Sequence, residues 1–159
     1  MKVKEIMRKP AAFCTPDTNL AAASELLRKY GCGCLPVVGE GGNVIGMITD
    51  RDVCVALGTR DVKPSQILVY EIMPARLFTC APEDDVHCAL KTIRRQQIRR
   101  LPVIDRSGVL HGVLCMDEIV SRAKRHAGKH EISFDDVVKT YQSICERRLP
   151  GLTRRAAAA

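Results

Sequence analysis

The sequence predicts an α+β fold in which two βαββα repeats pack as a pseudo-twofold pair, followed by one C-terminal helix. Three observations carry that prediction. The chain matches itself without a gap when Val3 is laid on Val69, a constant offset over most of its length. Each copy runs from a helical apolar period into two short apolar runs split by a glycine-tipped turn. After Ala123 the repeat stops and a separate amphipathic stripe begins.

The offset holds block by block. Val3, Glu5, Ile6 and Met7 fall on Val69, Glu71, Ile72 and Met73; Cys14 and Pro16 fall on Cys80 and Pro82. Leu35-Pro36-Val37 falls on Leu101-Pro102-Val103, and Gly42 and Gly46 fall on Gly108 and Gly112. A copy this small buries too little surface to stand alone, so two copies are expected to pack their sheets around one shared core. The expected organisation is a first repeat over 1–62, a second over 63–126, a helical extension over 127–149 and a disordered tail over 150–159.

In each copy a lead-in ends at Met7 or Met73 and a short strand follows, Phe13-Cys14-Thr15 in the first copy. The first helix places Leu20, Ala23, Leu26 and Leu27 on one face, and Gly31 closes it in the left-handed conformation. Its counterpart, about 85–96, turns Val86, Ala89, Leu90 and Ile93 inward. The hairpins are Leu35–Val38 with Asn43–Thr49, and Leu101–Ile104 with Val109–Cys115. A second helix starts near Asp50 and near Asp117. In the extension, Ser133-Phe134-Asp135-Asp136 has the form of a capping box, and Phe134, Val137, Val138, Tyr141 and Ile144 form the apolar stripe of a helix reaching Arg147.

Composition narrows the function. A formal charge of +7 favours anionic partners such as nucleotides. No apolar run reaches the roughly 20 residues of a membrane span, and Met1–Pro10 lacks the apolar core of an export signal, so a cytoplasmic protein is expected. In that setting the 8 cysteines read mostly as reduced, buried packing residues. No nucleophile–base set, paired carboxylates or phosphate loop marks an enzyme.

Together the Leu-Pro-Val strands, the glycine-tipped hairpins and Gly46-Met47-Ile48-Thr49-Asp50-Arg51-Asp52 resemble the cystathionine beta-synthase (CBS) domain family, over Val3 to Ala123. The resemblance implies a regulatory module that binds an adenine nucleotide and does no chemistry. AMP is the first expectation, with ATP, ADP, NAD or S-adenosylmethionine as the other adenosyl ligands. It also implies a homodimer, with the signal passed to an effector protein.

At the expected site Thr49 ends a strand and Asp52 opens a helix, whose free N–H groups suit a phosphate. The Thr49 hydroxyl and Arg51 would bind phosphate oxygens and Asp52 the ribose hydroxyls. The resemblance implies an adenine slot between Phe13, Cys14 and Thr15 and the backbone of Cys34, Leu35, Pro36 and Val37. The corresponding second site is Thr79, Cys80, Leu101, Pro102 and Val103. There Cys115 stands in place of Thr49 and Glu118 in place of Asp52, while Arg99 and Arg100 offer extra charge. A thiol is a poor donor to phosphate, so one good site and one altered site are expected.

Two alternatives stay open on sequence. The basic face of Arg94, Arg95, Arg99 and Arg100 suits nucleic acid, although with 3 Phe, 3 Tyr and no Trp the chain has few stacking platforms. Cys32-Gly33-Cys34, with Cys14, Cys80, His87, Cys88, His111 and Cys115, suits a metal- or redox-responsive module; a close cysteine pair without partners at ligand spacing is a weak metal signal.

Overall fold

The computed structural model describes residues 1–146. The tail at 150–159 and the last residues of the extension lie outside that range. The first copy contains α1 (Leu20–Tyr30), β1 (Cys34–Val38), β2 (Val44–Thr49) and α2 (Asp50–Thr59). The second begins with a single turn, α3 (Val69–Ile72), and continues through α4 (Val86–Gln96), β3 (Arg100–Ile104), β4 (Leu110–Cys115) and α5 (Met116–Arg122). The extension is α6 (Phe134–Cys145).

Local chemistry sets the helix limits. Asn19 caps α1 by accepting from the Ala22 N–H at 2.9 Å, and Gly31 ends it at φ 55°. Asp85 caps α4 by accepting from the His87 N–H. Gln97 ends α4 at φ 53°, where the first copy has its glycine, and its Nε2 donates to the Ser143 carbonyl of α6 at 2.9 Å. A side-chain tie to the extension thus accompanies a backbone conformation that glycine adopts more easily.

The sheets are two antiparallel hairpins with matching registers. Cys34 pairs with Thr49 and Leu35 with Ile48; Arg100 pairs with Cys115 and Leu101 with Leu114. The first strand of each copy shrinks to one parallel bridge, Cys14 beside Val37 and Cys80 beside Val103. The hairpins meet where the Val44 N–H donates to the Gly108 carbonyl at 2.9 Å.

The core differs from the sequence expectation of one shared cluster. There are two, and each contains the lead-in of the other copy. Val3 and Ile6 pack with Val86, Leu90, Ile93, Leu101 and Leu114 of the second copy. Ile67 and Val69 pack with Leu20, Leu35, Val37 and Ile48 of the first. Backbone bonds repeat the exchange: Val3 N–H to Asp84 O and Val86 N–H to Met1 O, both 3.0 Å, against Val69 N–H to Thr18 O and Leu20 N–H to Ile67 O, both 2.9 Å. Gly46 and Gly112 seat it. A Cβ at Gly46 would overlap the Met73 sulfur, and one at Gly112 would stand 2.7 Å from the Arg8 carbonyl oxygen. The repeated glycines are the places where each lead-in crosses the other copy's strand.

The extension packs on the second copy, against α4 and α5. Its buried face departs from the sequence stripe. Ile144 and Thr140 are buried, and Val137 and Tyr141 pack on the core, whereas Phe134 and Val138 stay about half exposed. Thr140 enters the apolar face because its hydroxyl is satisfied by donating to the Asp136 carbonyl one turn back. The capping box forms as read, with the Asp136 N–H donating to Ser133 Oγ at 3.1 Å and the Ser133 N–H to Asp136 Oδ2 at 3.0 Å. No helix among the described residues is long and apolar enough to cross a membrane.

Candidate functional site

A cleft of about 110 Å³ opens between the two copies. The first copy contributes Pro10, Ala11 and Ala12 and the stretch from Tyr30 to Cys34. The second contributes Arg100, Val113, Cys115, Asp117 and Glu118, and the exchanged lead-in brings Arg8. Apart from Tyr30, one wall is therefore made of small side chains, and the facing wall carries two guanidinium groups and two carboxylates.

The fold explains these positions. Arg8 follows the lead-in that crosses β4, with its N–H donating to the Val113 carbonyl at 2.9 Å. Its Nε donates to Glu118 Oε1 at 3.2 Å, and Glu118 Oε2 accepts from the Cys115 N–H at the start of α5. Gly33 leaves room for the Arg100 guanidinium, which a Cβ there would strike.

Thiol acidities differ with surroundings. Burial pushes Cys14 and Cys80 up to about 12, so both are inert packing residues. Cys34 is held below the usual thiol value by interaction with the Cys115 thiol and by the Arg100 charge, while Cys115 is pushed up by Cys34 and by burial. Cys32 is raised by burial. All eight thiols are free; Cys54, Cys88 and Cys145 are exposed, which the reading of mostly buried cysteines does not anticipate. No cluster of three metal-ligating side chains occurs among the described residues.

The expected site residues divide between cleft and core. Cys34, Arg100, Cys115 and Glu118 line the cleft. Leu35, Pro36 and Val37, like Leu101, Pro102 and Val103, are buried in the strands, and Cys14 and Cys80 are buried at their bridges. Phe13 and Thr15 are exposed, Thr79 is half-buried and Arg99 is exposed. Thr49 and Asp52 form a capping box: Asp52 Oδ2 accepts from the Thr49 N–H at 2.8 Å and from Thr49 Oγ1 at 2.7 Å, beside an exposed Arg51. Register pairing brings Thr49 beside Cys34. Arg8, Ala11, Ala12, Tyr30 and Asp117 were absent from the site residues expected from sequence. Only Gly112 hinted at them, as a place of close backbone approach.

Comparison with known proteins gives the context. Over 120 residues the chain is 28% identical to the uncharacterized protein MK0525 of Methanopyrus kandleri; the match covers 76% of this chain and 61% of that protein's length. Among solved structures, the fold matches the CBS domain pair of protein MJ0100 in complex with methylthioadenosine and S-adenosyl-L-methionine, at TM-score 0.69 and 25% identity, covering 76% of this chain and 94% of that one. It also matches the CBS domain protein PAE2072 from Pyrobaculum aerophilum complexed with AMP, at TM-score 0.69 and 21% identity, covering 75% and 90%. The model of the CBS domain matches twice, over residues 3–59 and 69–125, and this chain accordingly belongs to the CBS domain family as a tandem pair.

Proposed function

We propose that the chain is a regulatory module that binds an adenosyl ligand, AMP foremost, in clefts between its two copies, and passes the signal through a homodimer or a partner protein in the cytoplasm. The carrying observation is the composition of the cleft. Arg8 and Arg100 suit phosphate, Glu118 and Asp117 suit ribose hydroxyls, and the Pro10–Ala12 wall suits a flat base. The AMP and S-adenosyl-L-methionine complexes of the matched structures support the ligand class.

The repeat supplies a second position. Moving the cleft's lining by the repeat offset replaces Cys115, Asp117 and Glu118 with Thr49, Arg51 and Asp52, and replaces Ala12, Cys32 and Gly33 with Phe78, Ile98 and Arg99. On this reading each position takes its helix start from one copy and its base-facing wall from the other. The position at Thr49 and Asp52 is the stronger, because it offers a hydroxyl where the other has a thiol.

Thermal unfolding with AMP, ADP, ATP, NAD, S-adenosylmethionine and GTP tests this. A ligand at about 100 times its Kd adds about 2.7 kcal/mol of stability. AMP is expected to raise the midpoint, Asp52→Ala to remove most of the effect and Glu118→Ala a smaller part. If none of the six compounds shifts the midpoint, the nucleotide reading is wrong.

A further inference from the structure

Cys34 and Cys115 come from different copies and line the same cleft from its two sides. Strand register explains the meeting. Cys34 opens β1 opposite Thr49, and Cys115 closes β4 opposite Arg100. The repeat relates Cys34 to Arg100 and Thr49 to Cys115, so the pseudo-twofold sets the open ends of the two hairpins against each other. The contact between Gly33 and the Arg100 guanidinium marks how close they come.

Packing does not require thiols here. Cys14 and Cys80 are repeat mates, as core residues should be. Cys34 and Cys115 each stand where the other copy has a different residue, so the pair exists only through the meeting of the copies. The surroundings also divide the labour. Arg100 and the Cys115 thiol favour the thiolate at Cys34, while Cys115 keeps its proton. Cys32, nearby in the same wall as Cys34, is held as the thiol by burial.

We infer that Cys34 and Cys115 are a peroxide-oxidisable dithiol whose disulfide ties the first copy to the second across the cleft. The Cys34 thiolate attacks one peroxide oxygen; the O–O bond breaks, hydroxide leaves and takes up a proton, and Cys34 becomes a sulfenic acid. The Cys115 sulfur then attacks the Cys34 sulfur; the S–S bond forms, the S–O bond breaks, and the thiol proton leaves with the hydroxyl as water. Two thiols and one peroxide give one disulfide and two waters. Drawing the sulfurs to about 2.05 Å pulls the two walls of the cleft together. The further consequence, that oxidation excludes the adenosyl ligand, rests on the nucleotide reading; formation of the bond does not.

The test treats the full chain with hydrogen peroxide, blocks free thiols by alkylation and maps the digest by mass spectrometry without reductant. The expected product joins the Cys34 and Cys115 peptides and reverts with dithiothreitol. In Cys115→Ser, a dimedone adduct is expected at Cys34; in Cys34→Ser, Cys115 stays an alkylatable thiol. Circular dichroism of both variants checks that they fold, and the alanine variant at the same position, Cys115→Ala or Cys34→Ala, replaces one that does not. A Cys32–Cys34 bond, or oxidation of exposed Cys54, Cys88 or Cys145 ahead of Cys34, would overturn the inference. In a second arm, the part of the AMP-induced thermal shift that Glu118→Ala removes should be lost on oxidation and return on reduction. An unchanged shift overturns the gating consequence, whereas a reduced chain that ignores every adenosyl compound overturns the nucleotide reading and leaves the mapping to decide the dithiol.

Discussion

Val3→Ala tests the exchange of lead-ins. Val3 lies near the start of the chain but is fully buried in the second copy's core. Alanine removes two carbons. Their transfer to water costs roughly 0.8 kcal/mol each, and the hole left in a packed core brings the loss to about 2–3 kcal/mol. For a chain of this size that lowers the thermal midpoint by roughly 5–10 °C. Urea denaturation measures the loss, and amide chemical-shift changes locate it. The largest changes are expected at Pro82–Ile93 and in β3 and β4, where Val3 N–H meets the Asp84 carbonyl. The repeat mate Val69→Ala should cost about the same and perturb Pro16–Ala23 instead, because Val69 is equally buried but in the first copy. If Val3→Ala perturbs α1 more than α4, or costs under about 0.5 kcal/mol as surface changes do, the exchange is wrong.

Two further outcomes follow from the same packing. Gly46→Ala puts a Cβ on the Met73 sulfur and should cost about 1–3 kcal/mol in urea denaturation; Gly46→Ala with Met73→Ala should lose less than the sum of the two single variants. Glu83 joins the exchanged lead-in to the second copy through Lys2 and Lys4, each 2.5 Å away, and their hydrogen bonds and charges hold its carboxyl at about 2, below the usual 4.5. A depressed carboxyl stabilises the fold fully above its unfolded value and loses that contribution as pH falls from about 4.5 towards 2. Glu83→Gln should therefore flatten stability over that window, and added salt should shrink the difference, because all three groups are exposed.

The repeat made most elements legible. Helix faces such as Val86, Ala89, Leu90 and Ile93 show a clear period, and the glycine-tipped turns fix both hairpins. The exchange was not legible, because self-similarity says that two lead-ins are alike, not which copy each one covers. The same gap hid half of the cleft. Reading within one copy put Cys34 and Thr49 in one site; register pairs the two residues, but the described cleft joins Cys34 to Cys115 and Glu118 of the other copy. The α6 stripe misled for a different reason: Thr140 counts as polar in sequence, yet an internal hydrogen bond lets it be buried while Phe134 and Val138 face out.

Where the copies agree and where they differ follows a physical division. Core positions repeat, as in Val3 with Val69, Cys14 with Cys80 and Leu35 with Leu101, because both copies solve the same packing problem. Differences also fall where the copies meet: Arg8 faces Pro74 in the alignment, Gly33 Arg99, Cys34 Arg100, Thr49 Cys115, Arg51 Asp117 and Asp52 Glu118. On the proposed reading these substitutions make the two ligand positions electrically unlike. The Thr49 position gathers Arg51 and Arg99 around one carboxylate, whereas the Cys115 position balances Arg8 and Arg100 against Asp117 and Glu118. A ligand rich in phosphate is drawn to the first, and an adenosyl ligand of lower negative charge to the second. The thiols add a second asymmetry, since an oxidant reaching Cys34 and Cys115 acts on the position that binds phosphate less strongly. The module would then report two different signals through one pair of copies, held together by lead-ins that neither copy can withdraw without opening the other's core.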